Sequence, residues 1–155
     1  ERAGNGSSES DCNDYAQQAV AQVKQAGDSN CEFEESRRWS ASPSRQYNWC
    51  QQASAGQRSE EIGERDKAIK QCIAQREKTK ACDDYAGVAV EQSRKNANGK
   101  CGYKGLRWSL YSDDHIEQCM GQSQAFRVAE RKQRDSDLAR CLKKPVVGSG
   151  NLFVT

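Results

Sequence analysis

The chain is short of the material from which a large core is built. Of its 155 residues only 35% are hydrophobic and 7% aromatic, and the mean hydropathy is −1.02. A core drawn from so small a supply is thin, and thin cores need cross-links. No apolar run approaches the roughly 20 residues that span a bilayer, so no transmembrane segment is expected. Basic residues number 24 and acidic residues 22, interspersed, for a net charge of +2. Without a basic run there is no patch through which counterion release could drive binding to nucleic acid, and no such partner is expected. There is one histidine, and no two cysteines stand close enough for a C-x2–4-C zinc knuckle, a C-x-x-C redox pair or a C-x-x-C-H haem attachment. No metal and no cofactor is therefore expected. The first residue is Glu1 rather than Met, as expected of a mature form from which a leader has been removed.

Cysteine, by contrast, is plentiful. Cys12, Cys31, Cys50, Cys72, Cys82, Cys101, Cys119 and Cys141 are separated by 19, 19 and 22 residues, then by 10, then by 19, 18 and 22. That spacing is a tandem duplication with an offset of 70 that falls to 69 after a single deletion. Other residues keep the same step. Asp14-Tyr15-Ala16 matches Asp84-Tyr85-Ala86, Gln22 matches Gln92, Arg38-Trp39-Ser40 matches Arg107-Trp108-Ser109, and Arg65-Asp66 matches Arg134-Asp135. The expected organisation is a flexible segment over 1–11, one repeat over 12–76, a second over 77–144, and an apolar tail over 145–155.

Both repeats read as helical. Asp11 or Asn13 can cap a first helix that places Cys12, Ala16, Ala19, Val20 and Val23 on one stripe, with Gly27 as its stop. Ser42-Pro43 opens a short helix carrying Tyr47, Trp49 and Cys50. A third helix from about Glu60 places Ile62, Ile69, Cys72 and Ile73 inward, with Glu61–Arg65 and Asp66–Lys70 as i,i+4 pairs on its exposed side. Nothing stops it at Cys72, so it is expected to run into the first helix of the second repeat. That repeat continues with a turn-rich loop, a short helix from near Ser112, and a last helix over about 122–143 that turns Phe126, Ala129, Leu138 and Leu142 inward and ends at Pro145. The fold class is all-α: two disulfide-strapped helical repeats joined by a continuous helix, in an elongated body.

Eight cysteines without metal spacing predict four disulfides and an oxidising location: secreted, periplasmic or at the cell surface. Four cysteines per repeat allow three pairings. On one continuous helix Cys72 and Cys82 stand about 15 Å apart, beyond disulfide reach. If the first and third helices of a repeat lie antiparallel, the pairing is nested: 12–72 with 31–50, and 82–141 with 101–119.

The sharpest cluster for catalysis is His115 with Asp113 and Asp114, since a histidine beside carboxylates can act as a general base. Its matching position in the first repeat is Gln46, no nucleophile accompanies it, and a surface histidine on a short acidic helix is the favoured reading. No catalytic residue is assigned. Arg38-Trp39 and Arg107-Trp108 are the candidate binding residues. Each Trp fills the space between its loop and the long helices with Arg over the ring, or the pair forms an aromatic platform for a sugar or peptide. Tyr15 and Tyr85 belong to the core, and Glu34, Glu35, Asp83 and Asp84 to the solvated surface. Leu152, Phe153 and Val154 follow a flexible Gly-Ser-Gly, have no counterpart in the first repeat, and are candidates for assembly with a neighbour.

The stretches "CDDYAGVAVEQ", "CGYKGLRWS" and "HIEQC" give the second repeat a pattern C-x2-YA-x2-AV-x-Q, CG-x2-G-x-RWS, H-x2-x-C. It resembles cysteine-rich repeats of secreted proteins from Gram-negative, alphaproteobacterial-type bacteria, whose last motif is H-x2-WC. The first repeat departs at Glu32, where the pattern has Gly, and at Gln46, where it has His. Trp49 keeps the Trp before Cys, and Gln118 loses it. The resemblance implies secretion and repetition, not an activity. The expected function is a non-catalytic structural or accessory protein of an extracytoplasmic assembly, such as a filament or envelope complex, with a protein partner or self-association. The alternatives are a module binding cell-wall glycan or peptide, and a secreted enzyme inhibitor with a rigid loop.

Overall fold

The computed structural model describes residues 8–150, with side chains through 143. Helix α1 spans Glu9–Asp28. Its cap is Ser8 rather than Asp11 or Asn13: the Ser8 hydroxyl accepts from the Asp11 amide at 3.0 Å, and Glu9 and Asp11 sit favourably in the first turn. Helix α2 spans Pro43–Gln51, with Ser42 as cap and Pro43 pre-set for the first turn. Helix α3 spans Ala55–Asn98 and starts five residues before the expected Glu60. The reason is a capping box, in which the Ser54 hydroxyl accepts from the Gln57 amide at 3.2 Å while the Gln57 side chain accepts from the Ser54 amide at 2.8 Å. A short 3-10 turn over Leu106–Trp108 precedes α4, Ser112–Met120, and α5, Gln124–Gly150. The backbone of α5 stays helical beyond Pro145. The helix continues although Pro145 cannot donate to the carbonyl four residues before it and its ring crowds that carbonyl. Leu152, Phe153 and Val154 lie outside the described residues. The described residues contain no strand, and none of their helices is long and apolar enough to cross a membrane.

The chain divides into two compact units, Glu1–Arg76 and Glu77–Thr155. In the first, α1 buries Cys12, Tyr15, Ala16, Ala19, Gln22 and Ala26, a stripe at helical spacing. Cys12, Tyr15 and Ala19 form one cluster with Cys50, Trp49 and Ile62. Ala26 and Cys31 form another with Ile69, Cys72 and Ile73. The start of α1 therefore meets Ile62, and its end meets Ile69 and Ile73. In the second unit Cys82, Tyr85 and Ala89 pack with Cys119, Met120 and Phe126. Of the four residues expected inward on α5, Leu138 is buried, Phe126 is half-buried, and Ala129 and Leu142 are exposed.

All eight cysteines are in disulfides: Cys12–Cys50, Cys31–Cys72, Cys82–Cys119 and Cys101–Cys141, with Cα separations of 5.5, 6.0, 5.6 and 5.8 Å. The nested pairing is overturned, because its premise fails. The loop after Cys31 and then α2 return the chain to the start of α1, so α3 sets out from there and runs alongside α1 in the same sense. Cys50 then lies beside Cys12, and Cys72 is carried up to Cys31. Matched positions in the second unit pair in the same way.

Candidate functional site

Each unit buries one arginine completely. Arg65 lies on the stripe of α3 that carries Ile62, Ile69 and Cys72, and both it and Arg134 are 0% exposed. A buried guanidinium needs its donors satisfied and its charge balanced. Arg65 Nε donates to Gln22 Oε1 at 2.7 Å, Nη1 to the Arg38 carbonyl at 3.2 Å, and Nη2 to the Tyr15 hydroxyl at 3.0 Å. Glu61 lies 3.8 Å from Nη1, and the guanidinium stands over the Tyr15 ring at 5.3 Å. Arg134 repeats most of this. Its Nε donates to Gln92 Oε1 at 2.7 Å and its Nη1 to the Arg107 carbonyl at 3.4 Å. Glu130 lies 3.7 Å away, and the Tyr85 ring 5.0 Å. Here Arg134 Nη2 and the Tyr85 hydroxyl have no hydrogen-bond partner within the protein. The sequence reading placed Glu61 and Arg65 on an exposed face. Both are buried, whereas Asp66–Lys70, at 3.0 Å, is indeed a surface pair.

The Arg-Trp-Ser loops close over these cores. Arg38 Nε and Nη2 donate to the two Glu61 oxygens at 3.0 and 2.9 Å, and Arg107 does the same to Glu130 at 2.8 and 2.9 Å. Such forked pairs are directional and charge-assisted. The hydrogen bond from Arg38, with the charges of Arg37 and Arg65 behind it, holds the Glu61 carboxyl below its ordinary range despite burial, and Glu61 in turn raises Arg38. Glu130 raises Arg107 likewise. The arginines thus go to carboxylates, not over their neighbouring rings as expected. The rings stack on other aromatics: Trp39 on Phe33 at 3.9 Å, and Trp108 on Tyr103 at 4.9 Å. The arginine found over a tryptophan is Arg37, 4.4 Å above Trp49. Trp108 is 7% exposed. Trp39 is half-buried and lines an open groove of about 520 Å³ with Phe33, Arg37 and Arg38.

His115 is not a surface residue. It precedes Cys119 by four positions on α4, so it faces the core and is fully buried. Its Nε2 is 2.8 Å from the Ser109 carbonyl, a role that requires the proton on Nε2. Burial pushes its pKa down, against the pull of that carbonyl. The Ser109 hydroxyl donates to Asp114 at 2.6 Å and not to the imidazole, so the three groups do not form a nucleophile and its base. At the matching position Gln46 Nε2 donates to the Ser40 carbonyl at 2.9 Å. Gln46 and His115 thus do one job, which is to pin the end of the loop to the short helix.

Sequence reasoning singled out the Arg-Trp-Ser triplets but missed their partners Glu61, Glu130, Phe33 and Tyr103. It also missed the central arginines. The signal was there: Arg65 is repeated as Arg134, and the spacing 62, 65, 69, 72 puts it on the buried stripe. Among the described residues no group of three or more His, Cys, Asp or Glu side chains could hold a metal ion. No family model matches the chain, and no curated protein or solved structure matches it either.

Proposed function

We propose that the protein is a non-catalytic structural or accessory component of an extracytoplasmic assembly, built from two copies of one disulfide-strapped helical unit. One observation carries this reading. Of the residues that most resemble a site, all but the half-buried Trp39 are turned to internal use: Arg38 and Arg107 hold carboxylates, Trp108 is stacked and buried, and His115 holds a backbone carbonyl. Four disulfides suit an oxidising compartment outside the cytoplasm. Deleting residues 146–155, which include Leu152, Phe153 and Val154, should weaken association measured by sedimentation or cross-linking. A truncated protein that associates normally counts against the reading.

A second reading, a module for cell-wall glycan or peptide, draws on the half-open Trp39 and its groove. In that case Trp39→Ala abolishes binding to cell-wall fragments and leaves the unfolding midpoint unchanged. Trp108→Ala, which removes a buried ring, lowers the midpoint on either reading.

A further inference from the structure

One matched pair of residues differs between the units, and the difference opens a groove in the second. In the first unit the Arg37 guanidinium lies 4.4 Å above the Trp49 ring and 3.6 Å from Glu61. It covers the side of its loop. In the second unit Leu106 stands where Arg37 does, and Gln118 where Trp49 does. The leucine has no charge to bring to Glu130 and is 57% exposed. The ring contact is made from another place: Phe126 of α5 lies 6.2 Å from Tyr85, where Trp49 lies 5.4 Å from Tyr15. Between the loop, α4 and the start of α5 there is then an open groove of about 500 Å³.

Its apolar walls are Leu106, Trp108 and Phe126, and its polar ones include Lys104, Gln118 and Gln122. Those three polar side chains make no hydrogen bond or ion pair among the described residues. The Arg107–Glu130 fork also lines the groove, and each spends its charge on the other. Lys104 is therefore the uncompensated charge. The first unit differs here too. Glu60 and Glu64, whose charges act on Arg38, are matched by Ala129 and Gln133, and Glu34, which follows the stacked Phe33, gives way to Lys104 after the stacked Tyr103. A few polar groups set among apolar and aromatic walls are the make-up of a small-ligand site. A carboxamide offers a donor and an acceptor on one planar group, which is what a sugar hydroxyl pairs with. A lone ammonium suits a single carboxylate. A phosphate would call for an arginine fork, and Glu130 already holds the one present.

We propose that this groove binds a carboxylated saccharide, a uronic-acid unit of an extracytoplasmic glycan. The carboxylate meets Lys104, the hydroxyls meet Gln118 and Gln122, and the C–H face of the sugar ring lies against Leu106 and Phe126. This deepens the glycan reading and rests on it, with the site in the second unit rather than at Trp39.

The test titrates the full chain by calorimetry with tri-galacturonate and with its uncharged methyl ester. The parent should bind the acid saturably and more weakly as salt rises, and the ester less tightly. Lys104→Gln, at an exposed side chain, should weaken the acid about tenfold and leave the ester unchanged. Leu106→Arg with Gln118→Trp gives the second unit the cover of the first, and should lose both ligands at the parent unfolding midpoint. If that variant does not fold, Gln118→Ala with Gln122→Ala carries the same test. Acid binding that survives the folded groove variant overturns the proposal. Binding lost in Trp39→Ala and kept in the groove variants means that the glycan reading stands and this site is wrong. Tetraglutamate bound as tightly as the uronate means that the groove selects charge and not sugar, which also overturns it. A parent that binds neither saccharide removes this site, while the glycan reading is still decided by Trp39→Ala with cell-wall fragments.

Discussion

Truncating Arg65 to Ala would leave the Gln22 amide oxygen, the Tyr15 hydroxyl and the Arg38 carbonyl without their donor, and Glu61 short of one cation. Breaking a buried ionic network from one side costs about 3–5 kcal/mol, so the urea midpoint of Arg65→Ala should fall by that equivalent. Lysine cannot reproduce the fork, so Arg65→Lys should recover little of it. The corresponding Arg134→Lys should be milder, because Arg134 Nη2 makes no hydrogen bond within the protein. Equal losses at the two sites would refute this account of the difference. A second residue-scale prediction concerns acid. Burial lowers His115 in the folded state, so as pH falls below about 6.5 the unfolded chain takes up the proton first. Stability is therefore full above 6.5 and declines from there toward the folded value. His115→Gln, which installs the group that serves at Gln46, should flatten stability against pH in that window. Glu61 acts at lower pH: its carboxyl is depressed, so its contribution is present above its ordinary value and is lost as pH falls through the folded one. Glu61→Gln should remove that residue's share of the acid loss below pH 4.5 and lower stability at neutrality.

Between the elements, direction mattered more than identity. Ser42-Pro43 announced α2, and the cysteine periodicity announced that each helix would recur, because capping chemistry and spacing are local. The disulfide pairing was not legible, because it depends on whether α3 runs with or against α1. The loop over 32–42 and the path of α2 decide that, and neither has a period to read. The same limit hid Arg65 and His115. A polar side chain on a buried stripe looks like a surface residue until its acceptors are in place: Gln22, Tyr15 and the Arg38 carbonyl for Arg65, and the Ser109 carbonyl for His115. The observed pairing makes Cys31–Cys72 the tie between the exit of α1 and the far part of α3, across a separation of 41 residues. On the chain-entropy model a loop of that length contributes about 4 kcal/mol. Cys31→Ser with Cys72→Ser should therefore lower the urea midpoint by an amount of that order while α1 and α2 stay joined through Cys12–Cys50. Peptides released without reduction provide a direct check. A fragment joining Cys12 to Cys72 would show that α3 runs the other way.

At the scale of the molecule, each unit holds a complete set of its own supports. The first has two disulfides, a buried arginine with its glutamate, and the Phe33–Trp39 stack. The second has two disulfides, Arg134 with Glu130, and the Tyr103–Trp108 stack. A domain of half this chain's length draws only about 3–5 kcal/mol from a single core, and a supply of 35% hydrophobic residues makes this core a small one. Whether it folds alone then depends on its cross-links, and both pairs of each unit close within that unit. Residues 8–76, expressed separately under oxidising conditions, should therefore form Cys12–Cys50 and Cys31–Cys72 and unfold cooperatively in urea. Residues 77–150 should do the same with Cys82–Cys119 and Cys101–Cys141. Adding a reductant should abolish the transition in both fragments and in the full chain, because the core left behind cannot offset the conformational entropy of the ordered backbone. Fragments that oxidise to mixed pairings, or that melt without a cooperative transition, would mean that a unit needs its neighbour to select its cross-links. Fragments that stay folded when reduced would mean that the interior, thin as it is, holds the helices without them.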